Sequence, residues 1–274
     1  MLENYQLRIL SVFLCLFLLG FTVPVMSQDA VTSAGDTIYV SDGTLRRIYV
    51  PILMYHYVSP LPSNADSIRI DLTVSPDTFR EHIQYLRNAG YETISLYQLY
   101  NALVAGLPLP PKPVILTFDD GYVDHYEYVF PVLQEFGFTG TFFIITDIAD
   151  ANTPGYLTWA QIREMAGVGM SLESHAKNHV DLAGRDRDFL VYQIIGSLES
   201  LEANIGQSAA MFCYPSGRYD ETTLTAIEQF PVLLAVTTRY GAYHTTSSRF
   251  ELPRLRVSND TDVTALERLL AGSR

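Results

Sequence analysis

PVILTFDDGY, residues 113–122, changes character at a single point. Val114 to Phe118 are all β-branched, aliphatic or aromatic, and they read as a buried strand. Asp119-Asp120-Gly121 then ends the run with two carboxylates and a residue suited to a sharp turn. Working outward, runs of the same apolar kind recur at 50–56, 91–94, 141–145, 170–173, 210–214, 232–237 and 253–257. Segments of helical period lie between most of them. Ser75-Pro76 opens one, with Phe79, Ile83 and Leu86 on a common face and Gly90 closing it. Ser95 with Gln98, and Thr158 with Gln161, have the spacing of capping boxes. A longer helix is predicted over 187–205, ending at Gly206. No internal repeat or low-complexity segment stands out, and PLPPKP at 108–113 reads as a loop feeding a strand. Strands alternating with helices predict an α/β fold built on a parallel sheet. Seven or eight such units favour a distorted (β/α) barrel of seven or so strands over an open sheet.

Composition narrows the function. The chain has 274 residues, 48% of them hydrophobic, which suffices for one sizeable core. Its net charge of −12, from 18 Lys+Arg against 30 Asp+Glu, argues against a nucleic-acid partner and against docking on anionic lipid. A neutral or cationic substrate fits better. Residues 9–23, ILSVFLCLFLLGFTV, follow Arg8 as an uncharged apolar run, and Val25-Met26-Ser27 supplies a small-residue cleavage site. Residues 1–27 therefore read as a signal peptide, with an uncleaved anchor as the alternative. Export to the periplasm, the cell surface or the medium is the expectation, and membrane attachment only if that segment is retained. Residues 28–48 are polar and turn-rich, a leader or edge segment before the main domain at 49–274. Only Cys15 and Cys213 are present, so cleavage leaves Cys213 alone and no internal disulfide. The sequence carries no signal of oligomeric state.

In a barrel, functional residues gather where strands end and loops begin. Four predicted strands end in such residues: PILMY in His56, VILTF in Asp119-Asp120-Gly121, MSLES in His175 with His179 four residues on, and MFCY in Pro215-Ser216-Gly217. Adjacent carboxylates at a strand exit point in different directions, so they poorly suit an acid and base flanking one glycosidic bond. They suit one carboxylate on a metal and its neighbour reaching the attacking water. An Asp-Asp-Gly surface turn is the bland alternative, but His175 and His179 have the spacing of metal ligands, and one carboxylate completes a three-ligand set. Two nitrogens and an oxygen suit zinc, with cobalt or nickel also fitting.

These motifs resemble those of the polysaccharide deacetylases, carbohydrate esterase family 4. The resemblance covers about residues 50–257. It rests on Thr117-Phe118-Asp119-Asp120-Gly121, on Ser174 to His179 and on Tyr214-Pro215-Ser216-Gly217. PILMYHYV and LTWAQIREMAGVGMSLESH are most similar to the exported poly-β-1,6-N-acetylglucosamine deacetylases. By that resemblance Asp120, His175 and His179 hold a divalent metal, and Asp119 is the general base for the attacking water. The backbone N–H of Ser216 stabilises the tetrahedral oxyanion. The substrate is an N-acetylated polysaccharide, poly-β-1,6-N-acetylglucosamine first, then peptidoglycan, chitin-like oligomers or acetylated xylan. Most of the family takes its general acid from a C-terminal His, whereas VTALERLLAGSR has none. The exported subgroup resembles a circular permutation that carries the acid on an N-terminal strand, which makes His56 the candidate acid. The family's usual Arg is replaced by Cys213, and Arg254 in ELPRLRV is the candidate to steady Asp119 instead. Ala176 stands where Ser or Thr is usual.

Other residues carry weaker signals. Trp159 is placed either to line a sugar groove or to seal a helix against the barrel. Tyr122 is placed to border the cleft. His82, His125 and His244 lack partner motifs and read as structural or solvated, His82 on a helix surface. A glycoside hydrolase on a similar barrel and a non-catalytic glycan-binding module are the competing functions.

Overall fold

The computed structural model describes residues 37–272. The expected signal peptide lies outside the described residues. Among those residues no helix is long and apolar enough to cross a membrane.

Each of the eight apolar runs forms a strand: Ile52–Tyr55, Glu92–Thr93, Pro113–Phe118, Thr141–Ile144, Ser171–Ser174, Met211–Cys213, Leu234–Tyr240 and Leu252–Arg256. Seven of them close a parallel barrel. The Ile52–Tyr55 strand pairs with Leu252–Arg256 on one side (Leu255 opposite Leu53) and with Pro113–Phe118 on the other (Ile52 opposite Ile115). Glu92–Thr93 is a two-residue strand laid against the start of Pro113–Phe118. Because successive side chains alternate faces, each strand feeds two cores. Ile52, Ile115, Phe143, Met211, Val236 and Leu252 belong to one cluster, inside the barrel. Leu53, Leu116, Phe118, Phe142, Phe212 and Leu255 belong to another, shared with the surrounding helices. Burying each such side chain contributes ~1.5–3 kcal/mol.

The helices begin where the sequence marks them. Ser75 caps Pro76–Asn88 by accepting from the Thr78 N–H, and Ser95 and Thr158 form full capping boxes with Gln98 and Gln161. The 187–205 helix is continuous in sequence but contains a π-helical turn at Val191–Ile195 between Arg187–Leu190 and Gly196–Ile205. The described part of the edge segment, from residue 37, is tied to the barrel domain. Arg47–Tyr49 pairs antiparallel with Tyr243–Thr245, and Asn101 ties Thr37 and Tyr39 to the helix Leu96–Ala105.

His82 departs from its expected place on a helix surface. It is fully buried beside Phe79 and Ile83, with Nε2 against the Thr261 carbonyl at 2.7 Å and Nδ1 against the Tyr55 hydroxyl at 3.1 Å. The position belongs to the apolar face, and these two partners satisfy the ring there. His244 is likewise buried, against the Val50 carbonyl at 2.8 Å.

Candidate metal and catalytic site

The strand ends converge on one cavity of about 600 Å³, lined by His56, Asp119, Asp120, His175, His179 and Ser216 among others. Asp120 Oδ1 lies 3.3 Å from His175 Nε2 and 3.3 Å from His179 Nε2. The three donor atoms fall within 4.8 Å of one another. His175 is turned by its other nitrogen, since Nδ1 lies 2.8 Å from the Cys213 carbonyl. A carbonyl only accepts, so Nδ1 donates there and Nε2 is the nitrogen turned toward Asp120, the one a metal would take in place of a proton. Asp120 Oδ1 is buried and has no hydrogen-bond partner. An orphaned carboxylate oxygen facing two imidazole nitrogens fits a divalent cation, and the donor set suits zinc, cobalt or nickel.

The backbone bends to make this arrangement. Asp120, Ala176, His179 and Ser216 all have φ between 51° and 75°, four of the five positive-φ non-glycine residues among those described. Such conformations are uncommon and gather at functional sites. Two glycines complete the turns. Gly217 has φ +67°, and a Cβ there would sit 2.1 Å from Thr238 Oγ1. Gly121 has φ +70°, and its Cβ would meet Ile144 Cδ1 at 3.2 Å. Ala176 keeps a local tie, its N–H donating to Ser174 Oγ at 3.2 Å.

Asp119 faces the barrel interior and is locked there by Arg254. Nη1 donates to Oδ1 and Nη2 to Oδ2, both at 2.7 Å. The remaining donors are also used: Nε on the Thr237 carbonyl at 2.9 Å, Nη1 on Thr117 Oγ1 at 3.0 Å and Nη2 on Cys213 Sγ at 3.3 Å. All five guanidinium N–H groups are thus placed on acceptors in a side chain that is fully buried. Cys213 is a buried thiol that leaves room for this guanidinium. Burial alone pushes the Asp119 carboxyl up, but Arg254 outweighs it and holds the group well below the usual carboxylate range. Asp120 is also raised by burial and brought down by the adjacent His175, to about 2.

His56 stands across the cavity, Nε2 at 3.8 Å from Asp119 Oδ2. Burial lowers its pKa, with Asp119 and Asp120 pulling the other way. Tyr122 borders the cleft as its position suggested, stacked on Tyr57 at 3.8 Å between centroids. Trp159 is absent from the cavity lining; its Nε1 donates to Asp150 and its ring packs on the helix-side core. Sequence reasoning missed the rim formed by Ser67–Asp71 together with Tyr57 and Arg256. Tyr57 follows His56 directly and was discoverable from that adjacency. The short exposed helix has no apolar periodicity to mark it.

Known proteins share this architecture. The family profile described as polysaccharide deacetylase matches residues 106–235. YxkH of Bacillus subtilis, whose name places it in that family, is 34% identical over 209 residues, 76% of this chain and 71% of its own length. The poly-β-1,6-N-acetyl-D-glucosamine N-deacetylase of Staphylococcus epidermidis is 25% identical over 207 residues, 71% of each. Among solved structures, the Streptococcus pyogenes deacetylase PplD in complex with acetate matches with a TM-score of 0.76 at 30% identity. The match covers 82% of this chain and 99% of that one. The chain belongs to the polysaccharide deacetylase family, a (β/α)-barrel class of hydrolases.

Proposed function

We propose that this protein is an exported, metal-dependent N-deacetylase that removes acetyl groups from poly-β-1,6-N-acetylglucosamine. The observation that carries the reading is the pairing of an Arg254-locked carboxylate with an adjacent Asp120/His175/His179 donor set in one cavity. The named activity of the Staphylococcus epidermidis relative supports the glycan. The acidic net charge of −12 suits a neutral polymer that becomes cationic as it is deacetylated.

Asp120, His175 and His179 would hold the metal. When bound, it supplies Lewis-acid polarisation of the acetyl carbonyl and acidifies water near neutral pH. Asp119 takes the proton of the attacking water, and Arg254 keeps it ionised for that task. The backbone N–H of Ser216, presented by the strained Pro215-Ser216-Gly217 turn, stabilises charge developing on the carbonyl oxygen. His56 gives a proton to the departing amine, and acetate is released.

The test is acetate release across a panel of β-1,6-linked N-acetylglucosamine oligomers, peptidoglycan, chitin oligomers and acetylated xylan. The reading expects the first to be turned over fastest. Release from peptidoglycan or chitin alone would reassign the substrate, and new reducing ends without acetate would replace deacetylation with glycoside hydrolysis.

A further inference from the structure

Two neighbouring side chains that take no part in these steps hold the backbone from which His56 projects. The His56 ring is half-buried, and its Nδ1, which is buried, has no hydrogen-bond partner. No side chain therefore holds that nitrogen, and its aim toward Asp119 depends on where its own main chain is fixed. The main chain is pinned on both sides of Tyr57. His125 Nε2 lies 2.6 Å from the His56 carbonyl, which can only accept, so Nε2–H is the donor. Asp124 Oδ2 accepts the Val58 N–H at 3.2 Å.

Both anchors are themselves buried. His125 is fully buried, with the rings of Phe118, Tyr122 and Phe142 at 5.6, 6.0 and 5.8 Å. Asp124 is buried beside it. They stand at the head of a helix whose first turn, His125–Val129, is π-helical. Insertions of that kind often accompany functional sites. One seven-residue stretch, Asp119 to His125, thus supplies the proposed base, one proposed metal ligand and both anchors of the strand that bears the proposed acid.

We propose that Asp124 and His125 are positioning residues that set His56 against Asp119 across the cavity. The inference rests on reading His56 as the proton donor. A displacement of about 1 Å can cost on the order of 100-fold in rate, so loss of the anchor should be visible in turnover.

The experiment compares the full chain with His125→Phe, which keeps a ring in the aromatic surround but has no donor, and His125→Gln, whose amide can replace Nε2–H. Turnover is measured on β-1,6-linked N-acetylglucosamine oligomers, with bound metal quantified in each sample. The expected result is a fall in kcat of roughly 10- to 100-fold for His125→Phe with KM and metal content unchanged, and recovery to within a few-fold in His125→Gln. Where His125→Phe does not fold, His125→Asn, whose shorter side chain leaves the donor out of reach, carries the same expectation. On a His56→Ala background, His125→Phe should cost almost nothing further, because the aim it maintains is already lost. An equal loss on both backgrounds, or wild-type kcat in His125→Phe, overturns the positioning role while leaving His56 as the acid. Full activity in His56→Ala overturns the acid assignment and this inference together.

Discussion

Replacing Arg254 by Met isolates the ion pair on which the site is built. Met keeps an unbranched side chain inside the barrel but removes all five donors, leaving Asp119 buried and charged without its guanidinium partner. Breaking a buried pair from one side costs about 3–5 kcal/mol. For a domain of this size that corresponds to a melting temperature lower by roughly 6–20 °C. The sign of the pH dependence follows from Asp119, whose folded pKa is depressed from 3.8. Its pairing contributes stability at pH above the unfolded value, and that contribution is lost as pH falls through the folded value. The deficit of Arg254→Met is therefore full at pH 7 and narrows in acid. Activity should respond in the same sense. With Arg254 gone, burial pushes the carboxyl up, and the acid limb of the rate profile moves to higher pH. Adding Asp119→Asn to Arg254→Met should recover much of the lost stability, because the orphaned charge is gone. Denaturant unfolding at pH 5 and pH 7.5, with acetate release measured across pH, provides the check. An Arg254→Met protein with wild-type melting temperature and an unmoved acid limb would refute the reasoning.

Other expectations can be checked separately. Asp119→Asn should lower kcat by roughly 10²–10⁴-fold while elemental analysis finds metal retained, because the neutral amide cannot take a proton. His179→Ala should instead lose metal affinity, seen as a shifted Zn titration, with activity partly restored by excess metal. Gly217→Ala places a Cβ 2.1 Å from Thr238 Oγ1 on a φ of +67°, so it should destabilise the fold by about 1–3 kcal/mol and lower kcat through the displaced Ser216 N–H. Glu173, buried in the barrel with Ser171 Oγ and the Ala210 and Met211 N–H groups on its oxygens, is raised by burial from 4.5 to about 7. A raised carboxyl costs stability progressively as pH rises from 4.5 through 7. Glu173→Gln should therefore be more stable than wild type at pH 8.5, by at most about 3 kcal/mol, and no more stable at pH 4.5.

The barrel was legible because its strands are short, mostly apolar runs, several of which end in residues of a different kind. Asp119, Asp120, His175 and His56 stood out for the same reason, each marking the point where an apolar run ends. The reach of Arg254 to Asp119 was a candidate contact only, since the two are 135 residues apart and meet through barrel closure. His82 was misread because a histidine on an amphipathic helix resembles a surface residue; its place among Phe79, Ile83 and Leu86 was the better guide. His125 read only as structural or solvated and Asp124 was not singled out, because their partners are main-chain groups of a distant strand and the π-helical turn that presents them has no sequence period of its own. Glu173 was hidden inside an otherwise plain strand, although its alternation with Ser171 and His175 places all three on the inner face.

The central claim is that this cavity hydrolyses N-acetyl groups with a bound metal and the Asp119 carboxylate. Its most direct test measures acetate released from β-1,6-linked N-acetylglucosamine oligomers by the metal-loaded protein, the chelated protein, the chelated protein given zinc or cobalt, and metal-loaded Asp119→Asn. The account predicts acetate from the first and third samples and almost none from the second and fourth, with metal still bound in Asp119→Asn. Undiminished acetate release after complete metal removal, or from Asp119→Asn, would contradict it.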